Sequence, residues 1–165
     1  MKSILLALVF VSACGLSSNN SSTPEVTIEP VCKAASCNTE RPVRELTSFI
    51  NSHRASLGLR QIVPVFALSQ SAEVHTQNMS DGRYPLGHFG LAERCMSSRR
   101  ALGGGNACSE IVAAGQMTSD AVLRSWLNSW EHRRAIEDPR FTRMGLGVSV
   151  SRSGRPYWTV LFLQY

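Results

Sequence analysis

The sequence predicts an α+β domain, with helices leading and antiparallel strands closing the chain. Two stretches, Val43 to Leu57 and Phe66 to Met79, repeat apolar residues at intervals of three and four, the spacing of a helix with one buried face. The segment Met144-Gly145-Leu146-Gly147-Val148-Ser149-Val150-Ser151 alternates with a period of two, and the run from Tyr157 to Tyr165 is rich in aromatic and β-branched residues. Helices grouped ahead of strands argue for a layered domain and against a βαβ arrangement.

The amino terminus reads as an address. Met1 and Lys2 precede an apolar run from Ile4 to Val11 and a small-residue region ending in Cys14, the pattern of a signal peptide over residues 1–13. The apolar run is far shorter than the roughly 20 residues that a spanning helix needs. Val11-Ser12-Ala13-Cys14-Gly15 is similar to a bacterial lipobox, in which the cysteine is lipidated and becomes the new amino terminus; plain cleavage after Ala13 is the alternative. Five cysteines favour lipidation, because using Cys14 leaves an even four. Two or more acyl chains make such an anchor stable. The expectation is an extracytoplasmic protein lipid-anchored to the cell membrane, at the outer membrane in a Gram-negative host, since Gly15 rather than an aspartate follows the cysteine.

Residues 14–31, the lipidated cysteine and a Ser-, Asn-, Thr- and Pro-rich stretch, bury too little apolar surface to order themselves and read as a flexible tether. Residues 32–165 are enough for one domain. Seventeen basic against twelve acidic residues give a net charge of +5, but the arginines are scattered and no basic run is interleaved with aromatics. No nucleic-acid partner is expected.

Cys32 and Cys37 bracket a short loop, and Cys95 and Cys108 bracket an Arg- and Gly-rich stretch from Met96 to Ala107. Three connectivities are possible; proximity and an oxidising compartment favour Cys32–Cys37 and Cys95–Cys108. The four cysteines lack the paired spacings of a zinc site. Along the domain, Gly58 stops the first helix and Asp81-Gly82 the second; Arg83 to Leu91 is loop. Thr118 caps a third helix that continues through Val122, Leu123, Trp126, Leu127 and Trp130, with Asp120 suited to its first turn. A short strand covers Ile111 to Ala113, and Ser153-Gly154-Arg155-Pro156 turns the closing hairpin.

Acid, base or metal chemistry has few candidates, and no HExxH helix, Walker loop or dinucleotide fingerprint occurs. Asn51-Ser52-His53-Arg54, Gly87-His88-Phe89-Gly90, Ser109-Glu110-Ile111-Val112-Ala113, the spacing of Trp126, Ser129, His132 and Arg133, and Pro139-x-Phe141-Thr142-x-Met144-Gly145-x-Gly147 follow in order. Together, from about Val43 to Tyr165, they resemble the bacterial branch of the CAP superfamily of cysteine-rich secretory, antigen 5 and pathogenesis-related proteins, also called the SCP domain. The resemblance implies an α-β-α sandwich around a central antiparallel sheet. It also implies a cavity in which His88, Glu110 and His132 could hold zinc or another divalent metal, two imidazoles and a carboxylate being a suitable donor set.

A second glutamate found in many members is replaced here by Ser129. Glu131 is a weak substitute, because neighbours on a helix point about 100° apart. Asn51 and Arg54 are supporting residues. Each residue also has a plainer reading: His53 as a buried hydrogen-bonding group, His75 on the polar margin of its helix or packed beside Met79, Trp126 and Trp130 as core, Asn51 as a loop tie, and Glu110 paired to an arginine such as Arg54 or Arg133. The resemblance implies a binding module for a lipid, glycan or protein of the cell envelope, more than an enzyme. A metal-assisted hydrolase, a peptidase or amidase of the envelope, is the alternative; no serine or cysteine nucleophile with an oriented base supports it.

Overall fold

A computed structural model describes residues 39–165. The signal peptide, Cys14, the tether and the Cys32–Cys37 pair lie outside the described residues. The chain forms α1 (Glu40–Ser56), β1 (Val63–Pro64), α2 (Phe66–Ser80), α3 (Leu91–Leu102), β2 (Cys108–Ala114), α4 (Ser119–Leu127), α5 (Trp130–Glu137), β3 (Arg143–Val150) and β4 (Pro156–Leu163). Among the described residues no helix is long and apolar enough to cross a membrane.

The strands form one sheet in the order β1-β3-β4-β2. The β3–β4 hairpin is antiparallel, as the alternation predicts; β2 pairs antiparallel with β4, and the two-residue β1 joins the β3 edge in parallel. Side-chain alternation divides the sheet between two helical layers. Ile111, Ala113, Leu146, Val148, Trp158, Val160 and Phe162 pack with Leu46 and Ile50 of α1, Val122 and Trp126 of α4, and Ile136 of α5. On the other face Leu161 and Leu163 meet Leu68 and Ala72 of α2 and Cys95 of α3. The result is the expected α-β-α sandwich.

The α2 layer lies unusually close to the sheet, and two glycines permit it. A Cβ on Gly145 would stand 2.0 Å from the Leu68 carbonyl carbon, and one on Gly147 2.5 Å from that of Ala72. The -Gly-x-Gly- of β3 is thus a steric requirement of helix docking.

Two parts of the local reading are corrected. The chain after the Arg83–Leu91 loop, including much of the Arg- and Gly-rich stretch to which no element is assigned from the sequence, is the helix α3. Its few buried positions, Cys95 and Ser98, give almost no apolar periodicity. It is held instead by glycines in left-handed conformation at both ends, Gly90 and Gly103, and by the Cys95–Cys108 disulfide to β2, with a Cα–Cα distance of 5.9 Å. The third helix, read as continuous, breaks at Asn128 and Ser129, where Ser129 turns to extended φ, ψ before α5. Thr118 does cap α4, accepting from Ala121 N at 3.2 Å. The break rotates Trp130 off the face that buries Trp126, so Trp130 is 71% exposed and is not core.

Gly147→Ala is expected to destabilise the domain by about 3 kcal/mol or more, because the clash is with helix backbone and no flexible side-chain end can yield. Urea denaturation of the variant against the wild type measures it.

Candidate functional site

Glu110 is the centre of the site. It sits on the α2/α3 side of β2, paired in register with Leu161 of β4, and its side chain is fully buried. A carboxylate there requires compensation. Arg94, near the start of α3, supplies it with two parallel bonds: Nε donates to Oε2 at 2.8 Å and Nη2 to Oε1 at 2.8 Å. The third arm, Nη1, donates to Phe89 O at 2.7 Å and so ties the Gly87–Gly90 turn to the same guanidinium. His88 Nδ1 donates to Glu110 Oε1 at 3.0 Å, while half of its side chain stays open to solvent.

His75 completes the cluster from α2. It is buried, Nε2 donates to Gly87 O at 2.8 Å, and the same nitrogen lies 3.7 Å from Glu110 Oε1. Its Nδ1 is buried without a hydrogen-bond partner among the described residues. Desolvation holds the His75 pKa below its ordinary 6.5, against the opposing pull of the Gly87 carbonyl and Glu110. His132, half-buried on α5, is lowered for the same first reason; Glu131 opposes the shift and His88 adds to it, which places the two histidines in each other's field.

The structure therefore brings His88 to Glu110, with His132 in the electrostatic vicinity. It does not bring in Asn51 or Arg54, which serve the opposite layer. Asn51 clamps Ile62, accepting from its N–H at 2.8 Å and donating to its carbonyl at 3.0 Å. Arg54 donates to Arg60 O, Ile136 O and Asp138 O. Ser129 precedes α5 without capping it through its side chain, and Glu131 is exposed. His53 bonds Glu137 at 2.8 Å.

Two residues central to the site were not singled out. Arg94, rather than Arg54 or Arg133, is the partner of Glu110; it belongs to the helix that carries no apolar pattern, so no periodic signal marked it. His75 is neither marginal nor a mere neighbour of Met79, although its interval of seven from Leu68 does place it on the buried face of α2.

Beside this cluster, between α2 and α3, runs an open groove of about 720 Å³. His75 and Arg94 border it, together with Val74, Tyr84, Phe89 and Ser97, whereas His88, Glu110 and His132 do not. Tyr84 packs on Phe89 with ring centroids 4.5 Å apart.

The family described as CAP, the cysteine-rich secretory protein family, matches residues 47–162. The chain belongs to this family. YkwD of Bacillus subtilis, described as uncharacterized, is 33% identical over 132 residues, covering 75% of this chain and 46% of the relative, so the chain spans less than half of that protein. An outer surface protein of Borrelia burgdorferi is similar in structure, with a TM-score of 0.69, 21% identity, and coverage of 80% of this chain and 98% of that one. An extracellular SCP-domain protein of Bacillus anthracis gives a TM-score of 0.63 with 23% identity, over 81% of this chain and 45% of that one.

The divalent metal implied by the CAP resemblance does not fit this CAP domain's donors as they stand. Both Glu110 oxygens are engaged by a guanidinium, one of them also by His88, and a metal on the same oxygens would face a like charge at contact distance. Among the described residues no group of three or more His, Cys, Asp or Glu side chains is placed to hold a metal ion.

The lowered histidine values set a pH dependence. Unfolded His75 and His132 take up protons near 6.5, whereas the folded forms resist until lower pH. Their contribution to stability is therefore complete above about pH 6.5 and is lost as pH falls through the folded values. Thermal melts between pH 7.5 and 5 should show falling stability, with a flatter slope in His75→Gln; an unchanged slope would remove His75 from this account.

Proposed function

We propose that this CAP domain is an extracytoplasmic binding module, tethered to a membrane through lipidated Cys14, and that its ligand is received by the groove between α2 and α3. The carrying observation is the groove's construction: Val74, Tyr84 and Phe89 form apolar patches on a lining that also carries Gln70, Asn78 and Glu93, with His75 and Arg94 at its base. Val74 and Phe89 are 58% and 61% exposed, and His75 and Arg94 at the base are held by hydrogen bonds to Gly87 O and Glu110. A concave, largely preformed apolar site with a few fixed polar groups is the usual make-up of a small-ligand site.

The ligand class is a lipid, a glycan or a protein segment of the cell envelope. The family description, secretory by name, and the surface and extracellular proteins that share the fold support a place outside the cytoplasm. The hydrolase reading has no comparable support, because Glu110, its natural base, already accepts from Arg94 and His88 and is sealed from solvent.

Two experiments test this reading. Native mass spectrometry of the purified protein with fractionated envelope lipids, glycan fragments and peptides should reveal a bound ligand. Val74→Arg and Phe89→Ser, both at exposed positions, should weaken its binding at least tenfold without changing the melting temperature much; unchanged binding in both would exclude the groove. Separately, mass analysis of the mature amino terminus should find acyl chains on Cys14, and a free Cys14 thiol would rule out the anchor.

A further inference from the structure

We infer that Arg94 is a built-in cation that occupies the place a divalent metal would take at Glu110, so that this domain keeps its His/Glu cluster assembled with no metal. The inference is independent of what the groove binds. It starts from a charge requirement. A carboxylate with no solvent exposure must be met by a positive group or give up its charge. A metal ion and a guanidinium are alternative answers, and they compete for the same lone pairs.

Here the guanidinium has the position. Its Nε and Nη2 take one carboxylate oxygen each at 2.8 Å, which is the fork geometry that gives arginine its preference for carboxylates. Arg94 is only 12% exposed, and the surrounding backbone is shaped to it. Gly90, left-handed at φ +74°, passes so near that a Cβ there would lie 3.3 Å from Arg94 Nη1, and Nη1 donates to Phe89 O. The residue next to Arg94 is Cys95, and its disulfide partner Cys108 is two residues from Glu110. The covalent link therefore holds α3 against β2 at the level of the ion pair, and neither partner can withdraw far from the other.

Arg94 also does a second part of a metal's work. A bound ion draws its ligands from separate segments to one point; this guanidinium joins β2 through Glu110 to the His88 turn through Phe89 O. Removing it would leave a buried uncompensated carboxylate with His88 at 3.0 Å, His75 at 3.7 Å and His132 within electrostatic range. That set is suited to zinc. A zinc site should therefore be absent from the wild type and appear on loss of the guanidinium.

The test is zinc titration calorimetry on the full-length protein in detergent at pH 7.5 after chelator treatment, for the wild type, His88→Ala, Arg94→Lys, Arg94→Ser and Arg94→Ser/His88→Ala. The wild type and Arg94→Lys should show no one-to-one site, and chelator should leave the wild-type melting temperature unchanged. Arg94→Ser should gain a one-to-one site at least a hundredfold tighter than any wild-type binding, should melt higher with zinc than without, and should lose both properties when His88 is also replaced. A stoichiometric wild-type zinc site that disappears in His88→Ala overturns the inference, as does a folded Arg94→Ser that gains none. If Arg94→Ser does not fold unaided, refolding is followed by near- and far-UV circular dichroism. Recovery in zinc but not in magnesium supports the inference, and failure in zinc overturns it.

Discussion

The near-contact of α2 with β3 is the constraint on which the rest of this domain depends. With no side chains at Gly145 and Gly147, the helix backbone at Leu68 and Ala72 rests directly on the strand. At that separation short polar side chains suffice to join the layers. Thr76 donates to Ala72 O at 2.7 Å and meets the Thr159 hydroxyl of β4 at 2.7 Å, and Ser80 meets Ser149 of β3 at 2.8 Å. These groups are buried but paired, so they fix the rotation of α2 without leaving unsatisfied atoms. That rotation points His75 at Glu110 and leaves Val74, one position earlier, facing out over the groove. The site's floor and the groove's wall thus come from adjacent residues on a single helix, oriented by two glycines on a strand.

The other side of the groove is secured differently. Helix α3 contributes only Cys95 and the partly buried Leu91 and Leu102 to the apolar core, so hydrophobic packing supplies a small part of its docking. A disulfide and a buried ion pair take that role at adjoining residues, Cys95 and Arg94. The two depend on each other. Burying a charge pair recovers its desolvation cost only when the geometry is well held, and a link closing 13 residues of chain limits the excursions that would let water in. Conversely, a single disulfide fixes one point and leaves rotation about it; Arg94, reaching both Glu110 and Phe89 O, removes that freedom.

What could be read from the chain follows from which forces leave a periodic trace. The helices α1 and α2 and the β3–β4 hairpin are built by burial of apolar faces, and burial writes itself as spacings of three and four or of two. Thr118 was readable because a cap is a local rule. Helix α3 was not, since a disulfide and an ion pair leave no period. Nor was the break before α5, where Trp130 keeps the interval of four from Trp126 but the turn at Ser129 sends it to solvent. Within the site, His88 and Glu110 were placed by the order of the family motifs. Arg94 and His75 lie outside those motifs and meet Glu110 only through tertiary folding; the helical interval from Leu68 marks His75 as buried but not its partner, and nothing local marks Arg94.

The two buried arginines show how similar residues come to opposite uses. Arg54 is fully buried, and desolvation lowers its pKa against the opposing field of Asp138. Its acceptors there are the carbonyls of Ile136 and Asp138, at 2.6 and 3.0 Å, one in the last turn of α5 and one just beyond its end. Unpaired carbonyls at a helix end carry partial negative charge, so a guanidinium placed there satisfies orphan acceptors and stabilises the helix terminus at once. Among the described residues no carboxylate forms an ion pair with it; Asp138 acts on it only at longer range. Arg94 instead meets a full carboxylate, at the edge of an open groove and within reach of a half-exposed histidine. Its charge is matched, so the groove's base is polar without being strongly cationic. A buried salt bridge is a poor source of stability compared with apolar packing; what this one contributes is a fixed hydrogen-bonding edge to the groove without a strong local field.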